Sequence, residues 1–515
     1  MITLLHLCLF VVFIPAALYV LDVVREFRYR RLNAINNCKP PIFIASYPLG
    51  IPTMRKLDKA HKNNEFYDFA RDMVDQTGKK TYRTQNVGGV PITTIDPENI
   101  KAILATQFKE FDLGGRHAEF QPLMGDGIFT LSGPGWHHSR ALLRPQFTTE
   151  QVSRLHDLEK HSQVLLNVFR EQSVSGRTFD VQPYFFKFTL DTATEFLFGE
   201  SADTLSIGRK SDSRLERSEE FAEAFNTGQQ WLLYRSLAAD FHPMVNGKEY
   251  KRCTKICHDF FNHYVERALA RAKQRDVEEK NIEDEGRYIF LDQLTKETRD
   301  PILMRDQALN VLLAGRDTTA GLLSFAIALL VRNKDVWARL REEVLSHFGE
   351  STENISFKTL KRCDYLKHVV NETLRLFPVV PVNSRRANCN TTLPRGGGPD
   401  EMAPVYVEKG TDILYHTYVL QRQKEYWGKD ADQFKPERWM EGKNPIPWTY
   451  IPFNGGPRIC LGQQFALTEA SYVLARIVQT FSDVQTTNDI ATSPIKQFAT
   501  LTSSVAGGVP VVFKE

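Results

Sequence analysis

A lone cysteine in a glycine-rich turn is the feature of this 515-residue chain that most constrains its fold. The turn reads Phe-Asn-Gly-Gly-Pro-Arg-Ile-Cys-Leu-Gly from Phe453 to Gly462, and the apolar spacing from Gln463 onward is typical of a helix. Glycines permit tight backbone geometry and the close approach of another body. A helix N-terminus and Arg458 both favour the thiolate form of Cys460. We therefore expect the fold to present this turn to a flat, metal-containing cofactor.

A buried structural cysteine is the competing interpretation, and for an arbitrary cysteine it would be preferred. The spacing of Phe453, Gly456, Arg458, Cys460 and Gly462 argues against it, because it resembles the haem-binding signature of the cytochrome P-450 monooxygenases. The resemblance implies haem b with Cys460 as the axial ligand of its iron, and hence an oxygen-dependent oxidoreductase.

The overall composition excludes several other classes of protein. The formal net charge is only +3, from 65 basic and 62 acidic residues, so we expect no nucleic-acid partner. The 7 cysteines include no Cys-x-x-Cys pair, which speaks against zinc or dithiol chemistry and favours a reducing compartment.

The N-terminal segment is the second informative region. From Ile2 to Leu21 the chain has no formal charge, and as a helix this stretch would span about 30 Å, enough for one bilayer crossing. A cleaved signal peptide would need a basic start and a shorter apolar run, whereas here the basic residues follow. These residues are Arg25, Arg28, Arg30 and Arg31. The positive-inside rule then predicts a single-pass anchor with the following domain on the cytoplasmic side, and the resemblance implies the endoplasmic reticulum membrane.

Prolines and strand signals define the remaining organisation. We predict an anchor over residues 1–22, a basic and proline-rich connector over 23–52, and a catalytic domain over 53–515. Hairpins are predicted from Lys79 to Thr94 and from Val405 to Tyr415, and most of the remainder shows helical periodicity. The fold class is mainly α with a small β subdomain, which resembles the cytochrome P-450 fold behind a transmembrane helix.

A long apolar helix over about residues 305–333 contains the sequence Ala-Gly-Arg-Asp-Thr-Thr. Ala314 and Gly315 leave room for a ligand against the helix, and Asp317 and Thr318 place an acid and a hydroxyl beside that gap. Oxygen activation consumes protons, and such a pair can relay them through water. The segment matches an element of the same family. The alternative is a capping or back-bonded Asp-Thr-Thr within an ordinary core helix.

Glu372 and Arg375 lie three residues apart, on one face of a predicted helix. An exposed surface pair is the default interpretation. The spacing matches the family's Glu-x-x-Arg element, whose third member would be Arg438. The resemblance then implies a buried ion network with a structural role.

Arginines are the expected partners of the haem propionates, since their planar fork matches a carboxylate. Trp136 and Arg140 lie one helical turn apart and match a further family element. Arg458 and Arg385 would complete the set, although the neighbouring Arg386 is an equal alternative to Arg385.

Longer phrases, such as Ala-Gly-Arg-Asp-Thr-Thr-Ala-Gly-Leu-Leu-Ser-Phe from Ala314, resemble the fungal P-450 group that hydroxylates n-alkanes and fatty acids at the chain end. Terminal attack requires a narrow apolar channel that admits only the tip of the chain. The candidate wall residues, which are also plain core candidates, are Phe129, Leu131, Val311, Leu313, Val379, Val380, Val382 and Leu501. The alternatives are a tailoring oxidase of fungal secondary metabolism and, less favoured, a haem protein that senses a ligand or isomerises peroxides.

No Gly-x-Gly-x-x-Gly fingerprint occurs, so a flavin or nicotinamide domain is not expected within the chain. Electrons should therefore come from NADPH through a separate cytochrome P-450 reductase, with cytochrome b5 as a second candidate donor. The other expected partners are the lipid bilayer and a lipophilic substrate.

Overall fold

The computed structural model describes residues 2–47, 50–86, 89–148, 155–205, 213–278, 288–440, 445–487 and 489–515, with residues 2–15 described by their backbone. The α-helices are α1 (Ile2–Ile35), α2 (Ile51–Lys62), α3 (Phe66–Thr77), α4 (Pro97–Lys101), α5 (Arg116–Met124), α6 (Gly133–Leu143), α7 (Leu155–Ser173), α8 (Gln182–Phe198), α9 (Ser213–Ala238), α10 (Lys248–Glu278), α11 (Phe290–Leu294), α12 (Pro301–Leu330), α13 (Lys334–Phe348), α14 (Phe357–Leu360), α15 (Asp364–Leu376), α16 (Thr417–Leu420), α17 (Lys424–Trp427) and α18 (Gln463–Thr480). The strands are β1 (Ile42–Ile44), β2 (Thr81–Thr84), β3 (Ile92–Thr94), β4 (Phe111–Asp112), β5 (Phe179–Asp180), β6 (Val382–Ala387), β7 (Thr391–Gly397), β8 (Ala403–Val407), β9 (Asp412–His416), β10 (Asp483–Gln485), β11 (Gln497–Ala499), β12 (Ser503–Val505) and β13 (Pro510–Lys514). This mainly helical architecture with small sheets confirms the predicted fold class.

The chain divides into two compact units. The first, here called the sheet unit, comprises Met1–Gly114, Pro381–Ala431 and Pro445–Ile459, and the second, the helical unit, comprises Gly115–Val380, Asp432–Asn444 and Cys460–Glu515. The sheet unit contains a 6-stranded sheet in the order β1-β2-β3-β9-β6-β4 and the pair β7-β8. The helical unit contains the sheets β10-β13-β5 and β11-β12.

Helix α12 is the central element of the helical unit. Its first turn is fixed by Asp300, whose carboxylate accepts hydrogen bonds from the amides of Ile302 and Leu303, and by Pro301, which needs no amide partner there. Among the described residues, one helix is long enough and apolar enough to cross a membrane, and this helix is α12. However, 78% of its most apolar stretch is buried inside the protein. A helix that is apolar on all sides and covered by protein belongs to the core.

Helix α1 extends further than the predicted anchor, and its second half packs on the sheet unit. Tyr29 donates to the carbonyl of Tyr406 at 3.0 Å, and the Arg83 guanidinium lies 3.5 Å from the centroid of the Tyr29 ring. Arg83 also pairs with Glu26 at 2.8 Å. The segment predicted as a connector over 23–52 is helical to Ile35, and it then contributes strand β1 to the sheet. The contacts of Tyr29 and Glu26 hold this segment to the rest of the sheet unit.

The two predicted hairpins have different outcomes. Strands β2 and β3 pair in antiparallel fashion, which confirms the first hairpin, and part of its Gly-Gly turn lies outside the described residues. The second prediction is wrong, because β8 pairs with β7 whereas β9 pairs with β3 and β6. The sequence pattern identified both strands, but tertiary partners determined their pairing.

Candidate active site

Cys460 immediately precedes α18, as the sequence predicts. Its side chain keeps an accessible surface, yet burial raises the pKa of its thiol, while the Gly462 amide and the Arg140 guanidinium lower it. A side chain that is accessible and also desolvated faces an enclosed space rather than the outer surface. Burial therefore works against the expected preference for thiolate, and the Arg140 guanidinium is a cation that favours it. A bound metal cation would supply the missing charge, since it deprotonates a coordinating thiol.

Trp136 and Arg140 project from one face of α6 as predicted. The Arg140 guanidinium lies 5.6 Å from the centroid of the buried Trp136 ring, and burial lowers the pKa of this arginine. Within the helical unit, Arg140 is therefore close enough to Cys460 to interact with it electrostatically. Its positive charge would stabilise a thiolate sulfur or an anionic group of a ligand.

The glycines of the cysteine turn have different roles. Gly456 has φ of +65°, and a Cβ atom there would come within 1.8 Å of the Leu104 carbonyl oxygen, so the sheet unit itself requires glycine at this position. Gly462 has φ of −85°, and a Cβ atom would meet only Phe147 at 3.8 Å. The protein therefore leaves space beside Gly462, which fits the predicted approach of a flat cofactor. Phe453 and Arg458 are partly exposed in the same turn.

The structure distinguishes Arg385 from Arg386. Arg386 makes a two-pronged ion pair with Asp412 at 2.7 Å, so its guanidinium fork is already occupied. Arg385 is buried and donates from Nη1 to the Ser384 carbonyl at 2.7 Å, but its Nε has no hydrogen-bond partner among the described residues. A buried, unsatisfied guanidinium donor fits an anionic group such as a haem propionate.

The middle of α12 opens as the sequence predicts. Ala314, Gly315 and Thr318 are partly exposed within an otherwise buried stretch, and a Cβ atom added at Gly315 would meet no atom within 4 Å. The Thr318 hydroxyl donates to the Ala314 carbonyl at 2.5 Å, so it is back-bonded but can still accept a hydrogen bond. These three positions form a small gap that contains a single hydroxyl group.

The Asp317 carboxylate belongs to a different environment. It accepts from Nη1 of Arg316 at 2.7 Å and from the Gln229 side chain, and burial raises its pKa despite the neighbouring arginine. Arg316 also donates to Asn226 at 2.8 Å. Asp317 and Thr318 therefore form separate hydrogen bonds, and their joint action in a proton relay remains a prediction.

Two buried charged residues were missed by the sequence reasoning. For Arg316, the signal in the sequence was an arginine next to Asp317 within an apolar helix. In the structure its guanidinium lies 5.2 Å from the centroid of the Phe186 ring. Glu469 on α18 accepts from Thr192 at 2.8 Å, and burial raises its pKa to about 7. For Glu469, the signal in the sequence was an acidic residue within the largely apolar helix α18.

The predicted ion network is present in the helical unit. Arg375 donates twice to the buried Glu372, at 2.8 Å for each bond, and Nε of Arg438 donates at 2.9 Å. The Trp439 indole and the Lys435 amide, which were not predicted, each add a bond of 3.0 Å. Five donated bonds to one carboxylate compensate its burial, so the network is structural.

The predicted pocket-wall residues occupy several environments. Val311 and Leu313 belong to the main hydrophobic core of the helical unit, and Phe129 and Leu501 pack against it. Val379 is buried, while Leu131, Val380 and Val382 are partly exposed. Val382 lies in the sheet unit and the other wall candidates in the helical unit. Their contact with substrate remains a prediction.

Comparison with known proteins identifies the family. The family model described as Cytochrome P450 matches residues 46–506. Cytochrome P450 52A3-B of Candida maltosa is 49% identical over 459 residues, which cover 87% of each chain. Cytochrome P450 52A5 of Candida maltosa is 52% identical over 82% of this chain and 80% of its own, and Cytochrome P450 52A13 of Debaryomyces hansenii is 46% identical over 94% of both. With the cysteine turn, the α12 gap and the buried ion network in place, the chain belongs to the cytochrome P450 family of cysteine-ligated haem monooxygenases.

Proposed function

We propose that this monooxygenase hydroxylates the terminal carbon of a fatty acid or an n-alkane. The observation that supports this function most directly is the partly accessible face of α12, on which Ala314, Gly315 and Thr318 recur at helical spacing. This face offers one hydroxyl and otherwise apolar or backbone surface. Such a lining favours an alkyl chain over a substrate that needs several polar contacts.

Each part of the chain has a proposed task in this reaction. Cys460 would bind the haem iron after losing its proton, and Arg140, Arg385 and Arg458 would hold the propionates. The bound haem supplies the activation of oxygen and its insertion into a C–H bond. Because the Thr318 hydroxyl already donates to Ala314, it would accept a hydrogen bond from water and so orient that water in the gap.

Asp317 would act as a proton reservoir rather than as a direct partner of Thr318. Its raised pKa lets it hold a proton more readily than an exposed aspartate, and Arg316 limits this tendency. A rotation of the carboxylate or an intervening water would then connect it to the α12 gap.

We further infer that α1 anchors the protein in the endoplasmic reticulum membrane, with the catalytic body in the cytoplasm. The helix has 34 residues, which exceeds the length of one bilayer crossing, and its first part lacks formal charge. The arginines that follow support the cytoplasmic orientation. Electrons would reach the haem from an NADPH-dependent reductase in the same membrane, and cytochrome b5 is a second candidate.

A product panel tests the proposed reaction. The full-length protein would be expressed with an NADPH-dependent cytochrome P-450 reductase, and membranes would be incubated with fatty acids and n-alkanes of graded length. We expect mass spectrometry to find mainly terminal alcohols or their further oxidation products. Cys460→Ser is the control and should form none. Mainly in-chain or ring-hydroxylated products would contradict the proposal and favour a tailoring oxidase.

A further inference from the structure

Three side chains that can bind a metal ion meet in the helical unit, and none of them belongs to the features assigned above. They are Glu343 and His347 on α13 and Cys363, which immediately precedes α15. One ligand atom of each residue lies within 4.8 Å of the ligand atoms of the other two. Glu343 and His347 share a helix face because they lie four residues apart, and the segment that contains α14 returns the chain to that face.

The spacing of the sulfur and the carboxylate matches two ligands of one zinc ion. The Cys363 sulfur lies 3.6 Å from Oε1 of Glu343. A zinc–sulfur bond of about 2.3 Å and a zinc–oxygen bond of about 2.0 Å, joined at the tetrahedral angle, separate the two ligand atoms by about 3.5 Å. Without a metal the two groups share only a weak S–H···O hydrogen bond. A zinc ion could therefore replace the thiol proton with little movement of either group.

The carboxylate and the imidazole both have lone pairs to give. Oε1 of Glu343 accepts from the Tyr365 amide at 2.7 Å, whereas Oε2 has no hydrogen-bond partner within the part of the chain that the structure describes. Nδ1 of His347 lies 2.9 Å from the Glu343 carbonyl oxygen and can donate to it, which leaves the lone pair on Nε2. A ring N–H that is held by a backbone carbonyl is typical of histidines that bind metals.

The site is buried at the sulfur and open at the imidazole. Cys363 is 0% exposed, Glu343 is partly exposed and His347 is exposed. An ion can therefore enter from the side of His347, where solvent can supply water as a fourth ligand. Asp364 adds negative charge near His347, but its carboxylate pairs with Lys367 at 2.6 Å, so we do not count it among the ligands.

The thiol needs the ion in order to become a ligand. Burial and the neighbouring Glu343 carboxylate raise the pKa of Cys363 to about 12, so without a metal the sulfur keeps its proton. A divalent cation offsets both effects, because it neutralises the carboxylate and stabilises the thiolate. The donor set selects the ion: sulfur, imidazole nitrogen and carboxylate oxygen are ligands of Zn²⁺, whereas Mg²⁺ and Ca²⁺ take oxygen ligands.

We propose that Glu343, His347 and Cys363 bind one zinc ion, with water in the fourth position. The Cys363 thiol releases its proton to solvent as the zinc–sulfur bond forms, and no electron is transferred. The ion joins α13 to the start of α15, the helix that carries Glu372 of the buried ion network. The site is thus structural, and it does not depend on which substrate the enzyme hydroxylates.

Zinc binding to the full-length, haem-loaded protein tests this proposal. The protein would be purified in detergent without a polyhistidine tag and dialysed against graded free concentrations of Zn²⁺, and its zinc and iron would be counted by mass spectrometry. We expect one zinc per haem iron at saturation. Cys363→Ser and His347→Gln should each weaken binding at least about tenfold, because each removes a protein ligand. Cys389→Ser and His156→Gln, which remove an exposed cysteine and an exposed histidine elsewhere, are the matched controls and should change nothing.

X-ray absorption at the zinc edge distinguishes this site from non-specific binding. We expect one sulfur ligand at about 2.3 Å with nitrogen and oxygen ligands at about 2.0 Å, and no sulfur ligand in Cys363→Ser. Because His347 is exposed, His347→Gln should fold normally, and the carbon monoxide difference spectrum of each variant verifies this. Zinc held only by nitrogen and oxygen in the wild type, less than half an equivalent of zinc at micromolar free Zn²⁺, or equal binding by His347→Gln would overturn the proposal.

Discussion

The buried ion pair of Arg316 and Asp317 makes the stability of this protein dependent on pH in a way that one substitution should reveal. The two side chains are each 3% exposed and lie 2.7 Å apart, and Asp317 has Gln229 as its further partner. Arg316→Met keeps much of the side-chain volume but leaves the carboxylate buried without its cation. Breaking a buried pair in this way costs about 3–5 kcal/mol.

Protonation limits that cost. In the unfolded chain Asp317 titrates near its usual value of 3.8, and holding it neutral costs about 1.4 kcal/mol for each pH unit above this value. Keeping Asp317 neutral therefore costs about 4 kcal/mol at pH 7 and about 2 kcal/mol at pH 5.5. The loss relative to the wild type is at most this large, because burial already raises the pKa of Asp317 in the wild type. Since burial raises the folded-state pKa, the unfolded state loses its proton first, and the variant becomes less stable as pH rises through this window.

Urea unfolding followed by tryptophan fluorescence, in detergent at pH 5.5, 6.5 and 7.5, measures this dependence. The double variant Arg316→Met with Asp317→Asn is the control, because it has no carboxyl group to titrate and should recover most of the loss at pH 7.5. An equal loss at all three pH values, or a loss below about 1 kcal/mol at pH 7.5, would refute the reasoning. Either result would mean that Asp317 reaches solvent or another partner when Arg316 is absent.

Three further predictions follow from single positions. Gly456→Ala should lower the free energy of unfolding in urea by at least about 2 kcal/mol and reduce haem retention, because residue 456 has a left-handed backbone and its new methyl group would collide with the Leu104 carbonyl. An unchanged free energy of unfolding would contradict this. Relative to the wild type, Glu469→Gln should gain on the order of 3 kcal/mol of stability as pH rises from 5 to 8, because the wild-type carboxyl has a folded-state pKa of about 7 and the wild type loses stability through that range; parallel pH profiles of the two proteins would refute it. Thr318→Ala should bind haem and substrate but divert NADPH electrons to peroxide, and Thr318→Ser should not; tight coupling of NADPH use to product in the alanine variant would contradict the proposed proton role.

Local spacing explains which parts of the site were predictable from the sequence. Glu372 and Arg375 meet because residues three apart share a helix face, and the cysteine turn is likewise contained in ten consecutive residues of fixed type. Ala314 and Gly315 open a gap in α12 simply because they lack bulk. In each case one secondary-structure element sets the geometry, so the sequence carried enough information.

The features that the sequence did not predict depend on partners from distant segments. Arg385 and Arg386 alternate along β6, and only the pairing of Arg386 with Asp412 on β9 shows which guanidinium keeps an unsatisfied donor. Asp317 and Thr318 are consecutive residues of a helix and so do not face each other, but the partner of the acid, Gln229 on α9, is contributed by a distant segment. Strands β8 and β9 were recognised individually, while their sheet partners were not.

On the proposed topology, the arginines after the membrane span would have two roles that act at different times. Arg28 pairs with Glu408 and Arg30 with Glu26, but both arginine side chains are more than 60% exposed, so these pairs contribute little stability. Glu408 lies far along the chain and would not be available while the N-terminus enters the membrane. On the proposed topology, the positive charges would therefore set the orientation of α1 first, under the positive-inside rule, and Glu408 of the folded sheet unit would pair with Arg28 afterwards. Tyr29, stacked on Arg83 and bonded to Tyr406, then fixes α1 to the sheet through buried contacts that the charges alone would not provide.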